Sequence, residues 1–104
     1  MTVAAVMSDL MLFSRIESAA TSAGVHLVRV DTPVDLPIDA DLVLVDWSAR
    51  DGSWAAALER HEGRVILFGP HTDLEAHAAA REAGLGPMWA RSKVVSSLAS
   101  LFDG

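Results

Sequence analysis

The chain contains no cysteine among its 104 residues. This absence excludes disulfide bonds, thiolate metal sites and thiol nucleophiles. Basic residues are also few: 8 Lys and Arg stand against 14 Asp and Glu, which gives a formal net charge of −6. Because the basic residues are scattered along the chain, no cationic patch offers the phosphate contacts that nucleic-acid binding needs. We therefore expect no nucleic-acid partner.

Long apolar runs are absent as well. No stretch approaches the ~18 uninterrupted apolar residues of a membrane-spanning helix. The N-terminal apolar run stops at Ser8-Asp9 and has neither a basic leader nor a small-residue cleavage site, so it is not typical of a signal peptide. We therefore expect a cytoplasmic protein without a membrane partner. The length predicts a single domain, residues 1–104, with no output domain.

The sequence instead shows a regular alternation of apolar runs and helical patterns. Apolar runs predict five strands, at residues 2–7, 25–30, 41–45, 64–68 and 88–90. Helical spacing predicts helices at about residues 10–23, 53–61 and 72–83 and from about residue 92 onward. The segment 31–39 contains two prolines and is too short and too broken for a helix. Such alternation predicts a parallel sheet with right-handed crossovers.

Single residues predict where the helices begin, where they end and which face they bury. The first helix has one apolar stripe and ends at Gly24; the stripe consists of Leu10, Phe13, Ile16 and Ala20. Ser53 is the expected N-cap of the next helix. Thr72 and Glu75 have the spacing of a capping box at the start of the third. The three tryptophans are expected to pack in the core or at sheet edges.

Two aspartates follow apolar strands directly. The run from Asp41 to Asp46 reads as a strand buried on both faces that ends in a carboxylate. Asp9 follows the first strand in the same way, and it also fits the N-cap of the first helix. Ligands of open α/β sheets bind beyond the carboxyl ends of the strands, where both side chains are expected. Two carboxylates at one sheet edge are a starting point for a divalent-cation site.

Four residues at the ends of strands complete a pattern. Asp9 follows the first strand, Asp46 closes the third, Gly69 follows the fourth and Arg91 follows the fifth. With these positions, the chain resembles the receiver domain of bacterial two-component response regulators over essentially its whole length. The resemblance implies a flavodoxin-like, three-layer α/β/α fold with a five-stranded parallel sheet in the order 2-1-3-4-5. Helix two of that fold is here reduced to the loop at 31–39.

The resemblance also implies roles for these residues. Asp46 takes the place of the phosphoacceptor, and Asp9, Asp46 and the backbone carbonyl of Ser48 take the place of Mg²⁺ ligands. Receivers carry a second acid where this chain has Ser8, so we expect weak Mg²⁺ binding. The switch positions are degenerate: Gly69 replaces a Thr or Ser hydroxyl, and Arg91 replaces a Lys. Without metal, we expect Arg91 to pair with one of the two aspartates.

These implications predict a non-enzymatic, stand-alone signalling protein that acts by protein–protein interaction. The expected partner is a histidine kinase, another signalling protein or a second copy of the chain. The expected interface includes Ala78 in the third helix and Met88 and Trp89 in the fifth strand. Two alternatives stay open. One is a functional, Mg²⁺-dependent receiver that is phosphorylated on Asp46, and the other is a small ligand-binding or hydrolase module that uses Asp9 and Asp46.

Overall fold

The computed structural model describes residues 1–103, which form an α/β fold with a parallel, four-stranded sheet. The strands are β1 (Thr2–Val6), β2 (His26–Val30), β3 (Leu42–Asp46) and β4 (Arg64–Phe68). Their spatial order is β2-β1-β3-β4, and each neighbouring pair is parallel. The predicted α/β class and the order of these four strands are thus confirmed, and the order is consistent with a flavodoxin-like arrangement.

Four helices connect and flank the strands. They are α1 (Leu10–Ala23), α2 (Trp54–Glu59), α3 (Leu74–Glu82) and α4 (Arg91–Phe102). Short 3₁₀ turns occupy Pro33–Asp35 and Trp47–Ala49. The loop at 31–39 therefore holds no α-helix, as predicted. None of the helices within residues 1–103 has both the length and the apolar character needed to cross a membrane.

The sheet is buried on both faces. Alternate residues of its inner strands point to opposite sides, and helices cover each side. One apolar cluster joins the sheet to α1 and α4, and includes Val3, Ala5, Leu42, Leu44, Ile16, Val94 and Leu98. The other joins it to α2 and α3, and includes Ala4, Val6, Val43, Val45, Leu58, Ala76 and Ala80. This two-sided burial explains why the β3 sequence is continuously apolar instead of alternating.

The predicted fifth strand is not formed. Of residues 88–90, Trp89 alone pairs with β4, through one isolated bridge to Phe68. Its amide donates to the Leu67 carbonyl (2.7 Å), and its carbonyl accepts from the Gly69 amide (3.0 Å). Extending this register back by two residues would require an amide at position 87 to donate to β4, but Pro87 has no N–H. The proline therefore limits the pairing to a single residue.

The predicted apolar stripe of α1 is partly wrong. The buried residues are Leu12, Ile16 and Ala20, whereas Leu10 is 67% exposed. Leu12, Ile16 and Ala20 follow an i, i+4 spacing, and Leu10 lies about 200° around the helix from Leu12. The predicted end of α1 is confirmed, because Gly24 has a φ of 70° and caps the helix in the left-handed conformation.

Ser53 is the N-cap residue of α2, as predicted, but its side chain makes no capping bond; its hydroxyl donates to the Asp51 carboxylate instead (2.5 Å). In α3 the cap is Asp73, not Thr72, and the Asp73 carboxylate accepts from the Ala76 amide (3.1 Å). A carboxylate competes well with a neighbouring hydroxyl as a capping acceptor because its hydrogen bonds are charge-assisted.

Candidate functional site

Asp46 closes β3, and its carboxylate is fixed by the turn that follows. It is 7% exposed and is the one buried charged residue within residues 1–103. Its Oδ1 accepts from the Ser48 amide (3.2 Å) and from the Ser48 hydroxyl (2.6 Å). Aspartate commonly makes such bonds to the chain two residues on, which initiates a turn. Ser48 thus positions Asp46 through its amide and hydroxyl, whereas the resemblance to receivers implied a role for its carbonyl.

Asp9 caps α1 at the same edge of the sheet. Its Oδ1 accepts from the amides of Met11 and Leu12, each at 3.1 Å. The negative charge lies beside the partial positive charge of the helix N-terminus, which favours the ionised carboxylate. The second oxygen of Asp9 does not take part in the cap and is free to accept from another group.

Arg91 joins the two carboxylates. Its Nη1 donates to Asp9 Oδ2 (2.8 Å), and its Nη2 lies 3.4 Å from Asp46 Oδ2. The expected pairing is thus present and involves both aspartates instead of one. The planar guanidinium has donors at a fixed angle, which lets one side chain reach two acceptors. One cation therefore links the ends of β1 and β3 to the first residue of α4.

The surroundings of Asp9 hold the pKa of its carboxyl group below the ordinary value of 3.8. The largest cause is the hydrogen bond from the Leu12 amide, followed by the hydrogen bond from Arg91. Both donors stabilise the ionised form, whereas partial desolvation of the carboxylate acts in the opposite direction.

A pH dependence of stability follows from this shift. Since the pKa of Asp9 is lower in the folded state, its contribution to stability is complete above the unfolded pKa and is lost as the pH falls through the folded value. Asp9→Asn should therefore reduce stability at neutral pH and flatten its decline below about pH 4. Urea unfolding at several pH values measures this effect. Glu17→Gln, an exposed acid on the same helix, serves as the control, and an identical decline in both variants would contradict the prediction.

The site does not suit a resident divalent cation while Arg91 is in place. All four oxygens of Asp9 and Asp46 already accept from the chain's own donors. Within residues 1–103, no three His, Cys, Asp or Glu side chains gather so as to hold a metal ion. Mg²⁺ requires near-octahedral oxygen ligands, so it would have to displace Arg91 from both carboxylates.

Gly69 lies at this edge of the sheet and is buried. A Cβ atom at this position would be 3.1 Å from the Met88 sulfur and 3.8 Å from Cβ of Ser48. The fold thus brings residue 69 beside the turn that holds Asp46, and the Met88 side chain fills the space where a hydroxyl-bearing side chain would lie. Met88 is 5% exposed, so it belongs to the core, and its predicted role as a surface anchor is corrected.

The other two expected interface residues are half-buried. Trp89 packs against the apolar cluster beneath α1 and α4, and the Lys93 ammonium lies 4.1 Å from its ring centroid. Ala78 lies on α3 with intermediate exposure. These two residues keep some accessible surface, although the contact area expected for this face is reduced without Met88.

Trp47 packs in the core and also makes a hydrogen bond that was not predicted from the sequence. Trp47 is 2% exposed, and its Nε1 donates to the Ala76 carbonyl of α3 (3.0 Å). This bond ties the turn after Asp46 to α3 on the same side of the sheet. A tryptophan directly after the carboxylate was the available signal, since a buried indole N–H needs an acceptor.

Comparisons of the sequence with models of protein families and with curated proteins find no match.

Proposed function

We propose that the protein is an atypical, stand-alone receiver-like signalling protein that binds a partner protein without a phosphorylation switch. The observation that carries this proposal is the bridge from Arg91 to Asp9 and Asp46. It holds the two carboxylates of a receiver-like site together but offsets part of their charge with a cation of the chain itself. The partner is a histidine kinase, another signalling protein or a second copy.

Gly69 supports the same proposal. A phosphoryl group on Asp46 would add negative charge and three acceptor oxygens at the end of β3. Arg91 is within reach of such a group, but position 69 offers no hydroxyl, and Met88 lies against it. A phosphorylated Asp46 would therefore lack a side-chain donor on the β4 side to report its state. The effect on the neighbouring α3 should be small.

Phosphodonor treatment tests the proposal. We expect acetyl phosphate or beryllofluoride, each with Mg²⁺, to leave amide hydrogen exchange in α3 unchanged, because no hydroxyl connects Asp46 to that side of the sheet. Intact mass measures phosphorylation in the same samples. Asp46→Asn is the matched control because the amide keeps the shape of the side chain. Slower exchange in α3 of the wild type but not of Asp46→Asn would overturn the proposal.

One observation favours the alternative of a functional, phospho-accepting receiver. Asp46 is buried at the end of β3, and Arg91 connects it to Asp9. A phosphoacceptor site would require this combination of an acidic side chain and a nearby cation. Under this alternative, acetyl phosphate should both increase the mass of the wild type and slow amide exchange in its α3, and Asp46→Asn should abolish both changes. The same experiment therefore separates the two functions.

A further inference from the structure

The loop at 31–39, here called the acidic loop, sorts its apolar residues into two sets. Pro33 is buried, and Leu36 packs against the cluster beneath α2 and α3. Val34 and Ile38, in contrast, are 67% and 96% exposed. Ile38 has the largest exposed fraction of the exposed large apolar residues in 1–103. One set of side chains thus packs against the core, and the other set is exposed to solvent.

The acidic loop is held in a defined conformation. The Thr32 hydroxyl accepts from the Val34 amide (3.4 Å), and the Leu36 amide donates to the Pro33 carbonyl (3.3 Å). The Ala40 amide donates to the Pro37 carbonyl (3.2 Å). Two prolines also fix their own φ angles. Little conformational entropy would be lost if another protein bound Val34 and Ile38 in this arrangement.

Carboxylates flank the two exposed apolar side chains. Asp35 and Asp39 are both exposed, and neither forms an ion pair within residues 1–103. Asp31, at the start of the loop, is paired with Arg29 (3.0 Å). The free carboxylates beside the exposed isoleucine repel acidic surfaces and anionic membranes, and they attract a basic surface.

We propose that the acidic loop is a docking element for a partner protein that has an apolar pocket surrounded by Lys and Arg. Ile38 supplies the apolar anchor, and Asp35 and Asp39 supply the complementary charge. A second copy of the chain is the less suitable occupant, because each copy has a net charge of −6. The proposal holds whether or not Asp46 accepts a phosphoryl group, so it can fail or succeed separately from the proposed function.

Site-specific photo-crosslinking in the protein's native cells tests the proposal. The photo-reactive residue benzoylphenylalanine replaces Val34, which belongs to the same loop as the anchor Ile38 and is itself exposed. The same replacement at Leu74, 76% exposed on α3, is the matched control. We expect position 34 to crosslink to one protein, at a peptide that contains Lys or Arg, and position 74 not to do so. Absence of a crosslink at position 34, or a crosslink to a second copy of the chain, would overturn the proposal.

Binding of the purified crosslinked partner then tests the chemistry. Ile38→Ser should raise the Kd by about tenfold or more, because an aliphatic side chain leaves the pocket. Asp35→Asn combined with Asp39→Asn should raise it by about fivefold at low salt and have little effect at high salt. Leu74→Ser should change neither value. Thermal unfolding should be the same for all variants, since these side chains are exposed. Equal affinity of wild type and Ile38→Ser, or of wild type and the double Asn variant at low salt, would overturn the proposal.

Discussion

Replacing Trp47 by alanine is expected to lower the free energy of unfolding by about 3–5 kcal/mol. The indole is 2% exposed and is the largest of the fully buried side chains in residues 1–103. Its loss leaves a cavity between the sheet and α3 and removes the hydrogen bond to Ala76. A domain of this size is typically stable by only about 5–15 kcal/mol, so the variant should be close to unfolding at room temperature. Urea denaturation followed by circular dichroism measures the change.

Two further variants separate packing from hydrogen bonding at Trp47. Trp47→Phe keeps most of the ring volume but removes the N–H donor, so we expect a smaller loss of about 1–2 kcal/mol. Trp89→Ala removes an indole that is only half-buried, and it should also cost less than Trp47→Ala. If Trp47→Phe destabilised the protein as much as Trp47→Ala does, the hydrogen bond to α3 would be the dominant interaction and the packing argument would be wrong.

The elements that the sequence predicts well are those whose signal is local and repeated. The residues of β3 form a continuous apolar run because helices cover both faces, and α1 ends where Gly24 adopts a positive φ. The convergence of Asp9 and Asp46 was also predictable, because parallel strands end at the same edge of the sheet. None of these three predictions required knowledge of a specific contact between distant side chains.

The features that the sequence predicted poorly depend on competition between neighbours or on tertiary contacts. Residues 88–90 look apolar enough for a strand, but the missing amide of Pro87 stops the ladder. A three-residue segment also has too little pattern to show which side faces inward, so Met88 was assigned to the surface although it lies in the core. Asp73 and not Thr72 caps α3. A capping-box pattern alone does not show that the neighbouring carboxylate is the better acceptor.

The contact of Arg91 with both Asp9 and Asp46 could likewise not be predicted from the sequence. The residue follows Asp9 by 82 positions and Asp46 by 45, and only the start of α4 determines where its guanidinium lies. The resemblance to receivers, which have a Lys at this position, predicts a pair with one aspartate. Whether one arginine reaches both depends on the distance between the two strand ends, which is set by packing.

Arg91→Ala is expected to lower the free energy of unfolding and to raise the affinity of the site for Mg²⁺. The first effect is a loss of stability of about 1–2 kcal/mol at neutral pH, because the carboxylate of Asp46 stays buried and loses its cation. Breaking a fully buried ion pair typically costs about 3–5 kcal/mol. The smaller figure applies because the Arg91 side chain is 43% exposed and its contact with Asp46 is 3.4 Å long. The Ser48 amide and hydroxyl also continue to donate to Asp46.

The second effect is a gain in Mg²⁺ affinity. Without the guanidinium, one oxygen of Asp9 and one of Asp46 lose their donor at the same edge of the sheet, and the net charge of the site falls by one unit. We expect the affinity for Mg²⁺ to rise by about tenfold over the wild type, which corresponds to about 1.4 kcal/mol. Thermal unfolding measured over a series of Mg²⁺ concentrations reports both effects, since an ion that binds only the folded state raises the Tm.

Control variants show whether the displaced cation is the cause. Arg91→Lys keeps the charge but lacks the forked donors, so it should lie between wild type and Arg91→Ala in both stability and Mg²⁺ response. Arg81→Ala removes an exposed arginine from α3 and should change neither. Adding Asp46→Asn to Arg91→Ala removes the uncompensated buried charge, so it should restore part of the stability and abolish the gain in Mg²⁺ affinity. If Mg²⁺ raised the Tm of Arg91→Ala no more than that of the wild type, the guanidinium would not be what keeps a divalent cation out of this site.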